Sequence, residues 1–293
     1  MKEFDYVRPS SLEEACALLA SSEGLVKPLA GGTDLVVQMK QGKVRPQVLV
    51  SLRDVPGLSF ISPRDDGGLL IGATTPLAAV ENSAAVVESH AALAEAAAWI
   101  GSVQVRSRAT VGGNLCNAAP SADLAPILIA YGAVAVITDG CSEREMALED
   151  FFTGPGQTVL RPGELLKAVA VPPVPPRTFA KYLKAYRSTM DIATAGVALV
   201  MKFGESGCVC QDVKLVLGAV APTPIRARET ESMLLGQALT DDLIRAAGAK
   251  AAQEARPITD VRASAEYRRT LVEVFTRRAL TAARTWVQEG EQG

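Results

Sequence analysis

Histidine is nearly missing from this chain: His90 is the only one in 293 residues. A lone imidazole without partners seldom makes a site, and no Ser–His–Asp or Cys–His set is in view. His90 lies in an alanine-rich stretch and is read as a surface or packing residue. Cysteine is also scarce. The five, Cys16, Cys116, Cys141, Cys208 and Cys210, form no Cys-x-x-Cys pair. A zinc or iron–sulfur site needs about four soft ligands at suitable spacings, so no metal is expected in this chain. Cys208 and Cys210 are read as a strand-turn detail near Gly204 and Gly207, and Cys116 as a small buried hydrophobe. The odd count fits a reducing compartment. Only two tryptophans are present, Trp99 and Trp286, both read as packing residues. No charge of one sign accumulates: 30 basic against 32 acidic residues give a net charge of -2, which argues against a nucleic-acid partner. No apolar run approaches the roughly 18 residues of a membrane span. The start, Met1-Lys2-Glu3-Phe4-Asp5, is no secretory signal. The expectation is a soluble, cytoplasmic protein.

Apolar residues are plentiful. At 48% hydrophobic, the chain can bury a sizeable core and form two domains or one large one. Two segments organise it. The first is Leu29-Ala30-Gly31-Gly32-Thr33-Asp34-Leu35; the second is Thr110-Val111-Gly112-Gly113-Asn114. Glycine reaches positive φ and leaves its backbone N–H uncovered, and successive uncovered N–H groups form a nest suited to phosphate. Either glycine pair alone could be an ordinary turn. Two such pairs, each followed by small polar residues, point to one anionic ligand held from both sides. A dinucleotide pyrophosphate is the leading candidate.

Local patterning predicts the elements. Ser10 with Glu13 makes a capping box for a helix carrying Leu12, Ala15, Cys16, Leu18 and Leu19, closed by Gly24. Strands are predicted over 25–30 and 48–52, with a short helix over 35–39, making a small α/β unit of residues 1–55. A second unit follows, residues 56–171. It has a strand over 69–73 and a short helix opened by Thr75-Pro76. Next come an alanine-rich helix over 84–100 ending at Gly101 and a polar stretch over 102–108. The second glycine loop leads to a helix over 124–130, then to strands over 133–138 and 165–171 around a turn-rich segment at 152–156. Pro172-Pro173-Val174-Pro175-Pro176 cannot continue a ladder or a helix and reads as a linker over 172–177. Beyond it, strands over 179–186, 192–203 and 213–220 precede helices over 228–235, 241–256 and 263–289. Strands followed by helices indicate an α+β domain over 178–293.

The two glycine segments, the downstream Asp123 and the block Tyr182-Leu183-Lys184-Ala185-Tyr186-Arg187…Met190-Asp191-Ile192-Ala193 occur in that order. In this the chain resembles the FAD-binding subunit of the molybdenum hydroxylases, the family of xanthine dehydrogenases and aerobic carbon monoxide dehydrogenases. The resemblance covers essentially the whole chain. It implies a two-subdomain FAD-binding domain of the vanillyl-alcohol-oxidase type, followed by a C-terminal domain of three antiparallel strands packed with helices. It implies that Leu29, Ala30, Gly31, Gly32, Thr33, Asp34 and Leu35 hold the pyrophosphate and that Ile100 and Gly101 pack near the flavin. Thr110, Val111, Gly112, Gly113 and Asn114 belong to the same site, at the flavin and ribityl region. Asp123 would bond the sugar or phosphate chain, Leu166 would sit against the ring system or adenine side, and Lys184 would be the polar contact from the second domain. Ile100 replaces an aromatic found near the flavin in xanthine dehydrogenases.

A bound flavin brings its own redox reactivity, so the missing catalytic residues cease to be a puzzle. The resemblance further implies a small iron–sulfur subunit with 2Fe–2S clusters and a large subunit with the molybdenum cofactor, in a dimer of heterotrimers. This chain would pass electrons from clusters through FAD to an outside acceptor. Two rivals remain: a stand-alone flavin oxidase of the vanillyl-alcohol type, and a scaffold that has lost its cofactor. Plainer readings also stay open for single residues. Asp123 and Asp34 also read as helix N-cap residues, a role that for Asp123 can coexist with cofactor binding, Lys184 as a solvated strand residue, and Arg106 and Arg108 as either phosphate partners or solvated loop.

Overall fold

The computed structural model describes residues 2–20, 25–188, 190–205 and 209–290. Gly24, Gly207 and Cys208 lie outside the described residues.

The first unit is a three-stranded parallel sheet. Its elements are β1 (Asp5–Val7), α1 (Leu12–Ala20), β2 (Val26–Leu29), α2 (Leu35–Lys40) and β3 (Val48–Ser51), with β3 central between β1 and β2. Helix α1 is capped one residue later than expected: Ser11 Oγ accepts from Glu14 N at 3.2 Å, and Glu14 rather than Glu13 reaches back to Ser10 N. Ala15, Cys16, Val50, Leu52, Val55 and Leu58 fill the small core between this unit and the next.

The second unit is an antiparallel sheet with helices on one face. Its strands are β4 (Ile61–Pro63), β5 (Leu69–Gly72), β6 (Val134–Thr138), β7 (Glu143–Ala147) and β10 (Leu165–Val171), in the order β4-β5-β10-β6-β7. A two-stranded hairpin, β8 (Phe152–Gly154) with β9 (Gln157–Thr158), replaces the expected turn-rich stretch. The helices are α3 (Leu77–Asn82), α4 (Ala84–Ser89), α5 (Ala91–Ala98), α6 (Val103–Arg106), α7 (Val111–Cys116) and α8 (Leu124–Tyr131). Thr75 does not cap α3; its hydroxyl bonds both backbone groups of Phe60.

The predicted single helix over 84–100 is two helices. His90, at φ -139 and ψ 52, breaks it. Its ring is fully buried, bonded to Ser89 Oγ and to the Pro172 carbonyl, each at 2.8 Å. Fixing that ring against the proline segment outweighs the helix propensity of the flanking alanines.

After the prolines, β11 (Thr178–Ala185), β12 (Ala195–Phe203), β13 (Cys210–Gly218) and β14 (Ile225–Arg226) form an antiparallel sheet in chain order. The sheet therefore has four strands rather than three, since the two-residue β14 pairs with β13 at Val216 and Leu217. Helices α9 (Arg228–Leu234), α10 (Asp241–Glu254) and α11 (Ala265–Gly290) cover one face.

The other face of this sheet meets α8, which is buried along its whole length. Glycines make that approach possible. Gly196 on β12 stands opposite Lys184 on β11 and opposite Gly218 on β13. A Cβ at Gly218 would lie 2.7 Å from Pro126 Cγ, and one at Gly196 would lie 2.8 Å from the Tyr182 hydroxyl. Tyr182, Ala198 and Val216 consequently share one core with Leu124 and Ile127 of α8.

Candidate functional site

The two glycine segments meet. Gly31 and Gly32 turn the chain from β2 into α2, with Gly32 at φ +76. A Cβ on Gly31 would lie 2.0 Å from the Arg108 carbonyl oxygen and 2.9 Å from Ala109 Cα. The first loop thus rests on the backbone immediately before Thr110. Among the described residues, the N–H groups of Gly31, Gly32, Thr33 and Asp34 donate to nothing, and the side chains of Thr33 and Asp34 have no hydrogen-bond partner. Asp34 occupies the N-cap position of α2 without a side-chain cap bond. The loop is a run of unengaged donors, as a nest requires.

The second segment is built differently from the expected glycine loop. Gly112 and Gly113 lie inside α7, whose N-cap is Thr110. Their N–H groups are engaged: Gly112 with the Ala73 carbonyl at 2.7 Å, and Gly113 with Thr110 Oγ1 at 3.0 Å. Val111 N bonds the Thr75 carbonyl. The glycines serve packing, because a Cβ at Gly112 would lie 2.7 Å from Ala73 Cβ. What this segment offers a ligand is Asn114, whose Oδ1 is buried without a hydrogen-bond partner.

A cleft of about 410 Å³ opens between residues 98–106 and residues 184–191, and neither glycine segment lines it. Trp99, Gly101, Ser102 and Arg106 line one wall, and Lys184, Tyr186 and Asp191 the other. Trp99 is 42% exposed, its ring tilted against Tyr186 with centroids 5.3 Å apart, so it is a cleft residue and not simply core packing. Gly101 takes φ +53. Arg106 is neither a phosphate partner nor a solvated loop residue. It is buried, it forks onto Glu81 at 2.6 and 3.2 Å, and it bonds the carbonyls of Ile100 and Gly101. It clamps the wall on which Ile100 and Gly101 sit. Arg108 is exposed.

Asp123 and Lys184 are brought together. Lys184 Nζ donates to Asp123 Oδ2 at 2.8 Å and to the Trp99 carbonyl at 3.0 Å, and Tyr182 Oη donates to Asp123 Oδ1 at 2.8 Å. The Lys184 and Asp123 side chains are 2% and 7% exposed, so Lys184 is not a solvated strand residue. Asp123 stands at the N-cap of α8 but makes no cap bond with its side chain. Burial raises the Asp123 pKa, opposed by the Lys184 charge and the hydrogen bonds from Lys184 and Tyr182. Burial, with the Asp123 charge beside it, holds the Tyr182 phenol well above its ordinary range, so it remains a donor. Sequence reading gave Tyr182 no role. The available signal was its spacing of two from Lys184, which sets both side chains on one face of a strand.

Other expected contacts fall elsewhere. The Leu166 side chain is 4% exposed within the main core, and the structure does not bring it to the cleft. Burial pushes the Cys116 thiol up to about 12, which fits an inert buried group. Trp286 packs against Phe179 and Phe203. Among the described residues, no group of three or more His, Cys, Asp or Glu could hold a metal ion, and no helix is long and apolar enough to cross a membrane.

Among the described residues, the first loop offers unengaged N–H groups, α7 offers an orphaned buried amide oxygen, and Lys184 at the cleft keeps one of its three N–H donors unused. The N–H donors and the ammonium suit an anionic diphosphate and the amide oxygen suits a hydroxyl of a polar chain; together that is the chemistry of a dinucleotide, and FAD fits it. The fold and site define a flavin-binding protein. Residues 2–174 match the FAD-binding domain found in molybdopterin dehydrogenase, and residues 180–283 match the C-terminal domain of the carbon monoxide dehydrogenase flavoprotein. The chain is 35% identical to the medium chain of carbon monoxide dehydrogenase from Hydrogenophaga pseudoflava, covering 96% of each. It is 34% identical to the FAD-binding subunit of xanthine dehydrogenase from Escherichia coli O157:H7, covering 95% of each. A solved carbon monoxide dehydrogenase from H. pseudoflava superposes with a TM-score of 0.92 at 35% identity, over 96% of this chain and 97% of that one.

The chain belongs to the FAD-binding medium subunits of the molybdenum hydroxylase family. It is a flavoprotein subunit of an oxidoreductase complex. A stand-alone flavin oxidase is not favoured.

Proposed function

We propose that this chain binds FAD without a covalent link, with the diphosphate on the donor run Gly31–Asp34 and the polar chain reaching Asn114. The observation that carries this is the contact of Gly31 with Arg108–Ala109, which sets the loop of unengaged N–H groups against the backbone leading into α7, the helix that carries the orphaned Asn114 Oδ1. Lys184 contributes a cation at the cleft, and the Ile100–Gly101 wall, clamped by Arg106, bounds the ring site. Thr110, Val111, Gly112 and Gly113 support the site through packing and the cap of α7. Leu29, Ala30 and Leu35 frame the nest. Leu166 acts only through the core. When bound, the flavin supplies reversible electron transfer; the protein binds it, orients it and bounds its access to water.

The finer architecture follows the same reading. Residues 1–171 form the FAD domain of the vanillyl-alcohol-oxidase type, with subdomains 1–55 and 56–171. Residues 172–177 link it to the flavoprotein domain of 178–293. The chain assembles in the cytoplasm with a small iron–sulfur subunit and a large molybdenum subunit as a dimer of heterotrimers. Electrons come from the partner's clusters and leave to an external acceptor, while hydroxylation of the substrate takes place on the large subunit.

The test is direct. The purified chain should be yellow, bleach with dithionite and release FAD on denaturation. Native extract should yield it together with one iron–sulfur and one molybdenum subunit. A chain that stays colourless after incubation with FAD, or that turns over small alcohols alone, overturns this reading.

A further inference from the structure

We infer that Tyr182 is a positioning residue for the flavin site: its hydroxyl orients Asp123, Asp123 orients Lys184, and Lys184 fixes the Trp99 carbonyl beside the Ile100–Gly101 wall. The inference rests on the FAD reading above and deepens it.

Both oxygens of Asp123 are occupied by groups from β11, Oδ1 by Tyr182 and Oδ2 by Lys184. The carboxylate is thus the hub of a buried chain crossing from the C-terminal sheet to α8. Lys184 has three N–H donors. Two are used, on Asp123 and on Trp99, and the third has no partner among the described residues although Lys184 lines the cleft. The direction of that third N–H is set by the other two. A buried ammonium with one fixed partner could rotate; with two it cannot without losing a charge-assisted bond. Trp99 is followed directly by Ile100 and Gly101, whose carbonyls Arg106 holds from the other side. The wall is therefore pinned from both domains, by Arg106 of its own and by Lys184 of the other, with Asp123 and Tyr182 holding Lys184 in place.

The fold leaves deliberate room for this chain. Gly196, directly opposite Lys184, lets the Tyr182 hydroxyl pass at a distance that no side chain would allow. Gly218 lets α8 close on the sheet so that Asp123 arrives within reach. Lys184 and Tyr182 are the charged and titratable groups acting on Asp123 among the described residues. Removing the phenol hydroxyl leaves burial less opposed, so Asp123 takes a proton at higher pH. The charged pair then fails earlier on acidification.

Tyr182→Phe tests this with no change of ring volume. FAD affinity, read by quenching of flavin fluorescence well below the melting temperature, should fall about five- to tenfold at pH 7.5. The acid limb of the affinity–pH profile should move to higher pH. A purely structural tyrosine would lower stability but leave that limb in place. Asp123→Asn provides the second reading: it should weaken FAD similarly and abolish the acid limb, and Tyr182→Phe added to it should have little further effect. If wild type binds FAD while both variants keep its affinity and pH profile, the positioning role is overturned and the FAD reading stands. If wild type binds no FAD, both fall.

Discussion

Gly31 stands against Arg108: a Cβ on Gly31 would lie 2.0 Å from the Arg108 carbonyl oxygen. Residues far apart in the chain are thereby locked backbone to backbone, with no side chain that could turn aside. Gly31→Ala must push the nest off the segment leading to Thr110. Overpacking of this kind costs about 1–3 kcal/mol. Because the displaced element is the ligand cradle, we expect FAD affinity to fall about ten- to hundredfold. Equilibrium titration with FAD measures it; an unchanged dissociation constant would place the nest elsewhere.

Arg106 predicts a stability effect and a binding effect from one substitution. Arg106→Met strands Glu81, whose side chain is only 25% exposed, and frees the carbonyls of Ile100 and Gly101. Stranding a buried charge costs about 3–5 kcal/mol; the remaining exposure of Glu81 puts the expected loss near the lower bound, about 3 kcal/mol. Arg106→Lys should recover little of it, since a point charge cannot reproduce the fork. Urea midpoints and FAD titration should move together in both variants. A normal midpoint in Arg106→Met would show that the clamp contributes nothing.

Much of the fold was legible because its elements are short apolar runs bounded by glycine and proline, as at β3, β10 and β12. What escaped has physical causes. Strand β7 reads Glu143-Arg144-Glu145-Met146-Ala147; it sits at the sheet edge with an alternately exposed pattern and carries no apolar run. Helix α6 is four residues long, too short for any period to show. The second glycine pair was misread because glycines needed for close packing look like glycines needed for a turn, and the contact of Gly112 with Ala73 is invisible in sequence. Asp123 and Lys184 were found as separate contacts. That they form one ion pair, bonded by Tyr182, depends on α8 lying against β12 and β13, which Gly196 and Gly218, in register with Lys184 across three strands, permit.

His90 makes stability depend on pH. Its pKa is lowered by burial, which outweighs the hydrogen bond to the Pro172 carbonyl. The unfolded chain therefore takes up the proton more readily than the folded one, starting near the ordinary histidine value of about 6.5. Stability is fully present above that value and is lost as pH falls from there through the depressed folded value. His90→Gln should flatten this dependence between pH 7.5 and 5.5 while costing some stability at both. Thermal melts at the two pH values test it. An equal slope in variant and wild type would remove His90 from the account.

Gly218 separates packing from binding. A side chain there would meet Pro126 Cγ at 2.7 Å, and Pro126 lies three residues beyond Asp123 at the start of α8. Gly218→Val should lift that end of the helix from the sheet, lowering stability by about 1–3 kcal/mol and drawing Asp123 away from Tyr182 and Lys184. A control of similar stability cost is available at Gly236, where φ is +74 and a Cβ meets nothing within 4 Å. Gly236→Ala carries only the left-handed backbone penalty of about 1–2 kcal/mol and lies outside the cleft lining. If the site depends on how closely α8 approaches the sheet, Gly218→Val should lose FAD affinity at least tenfold while Gly236→Ala keeps it, at comparable melting temperatures. Wild-type affinity in both would mean that the cofactor does not sense the helix–sheet contact. Parallel loss in both would mean that it senses only global stability.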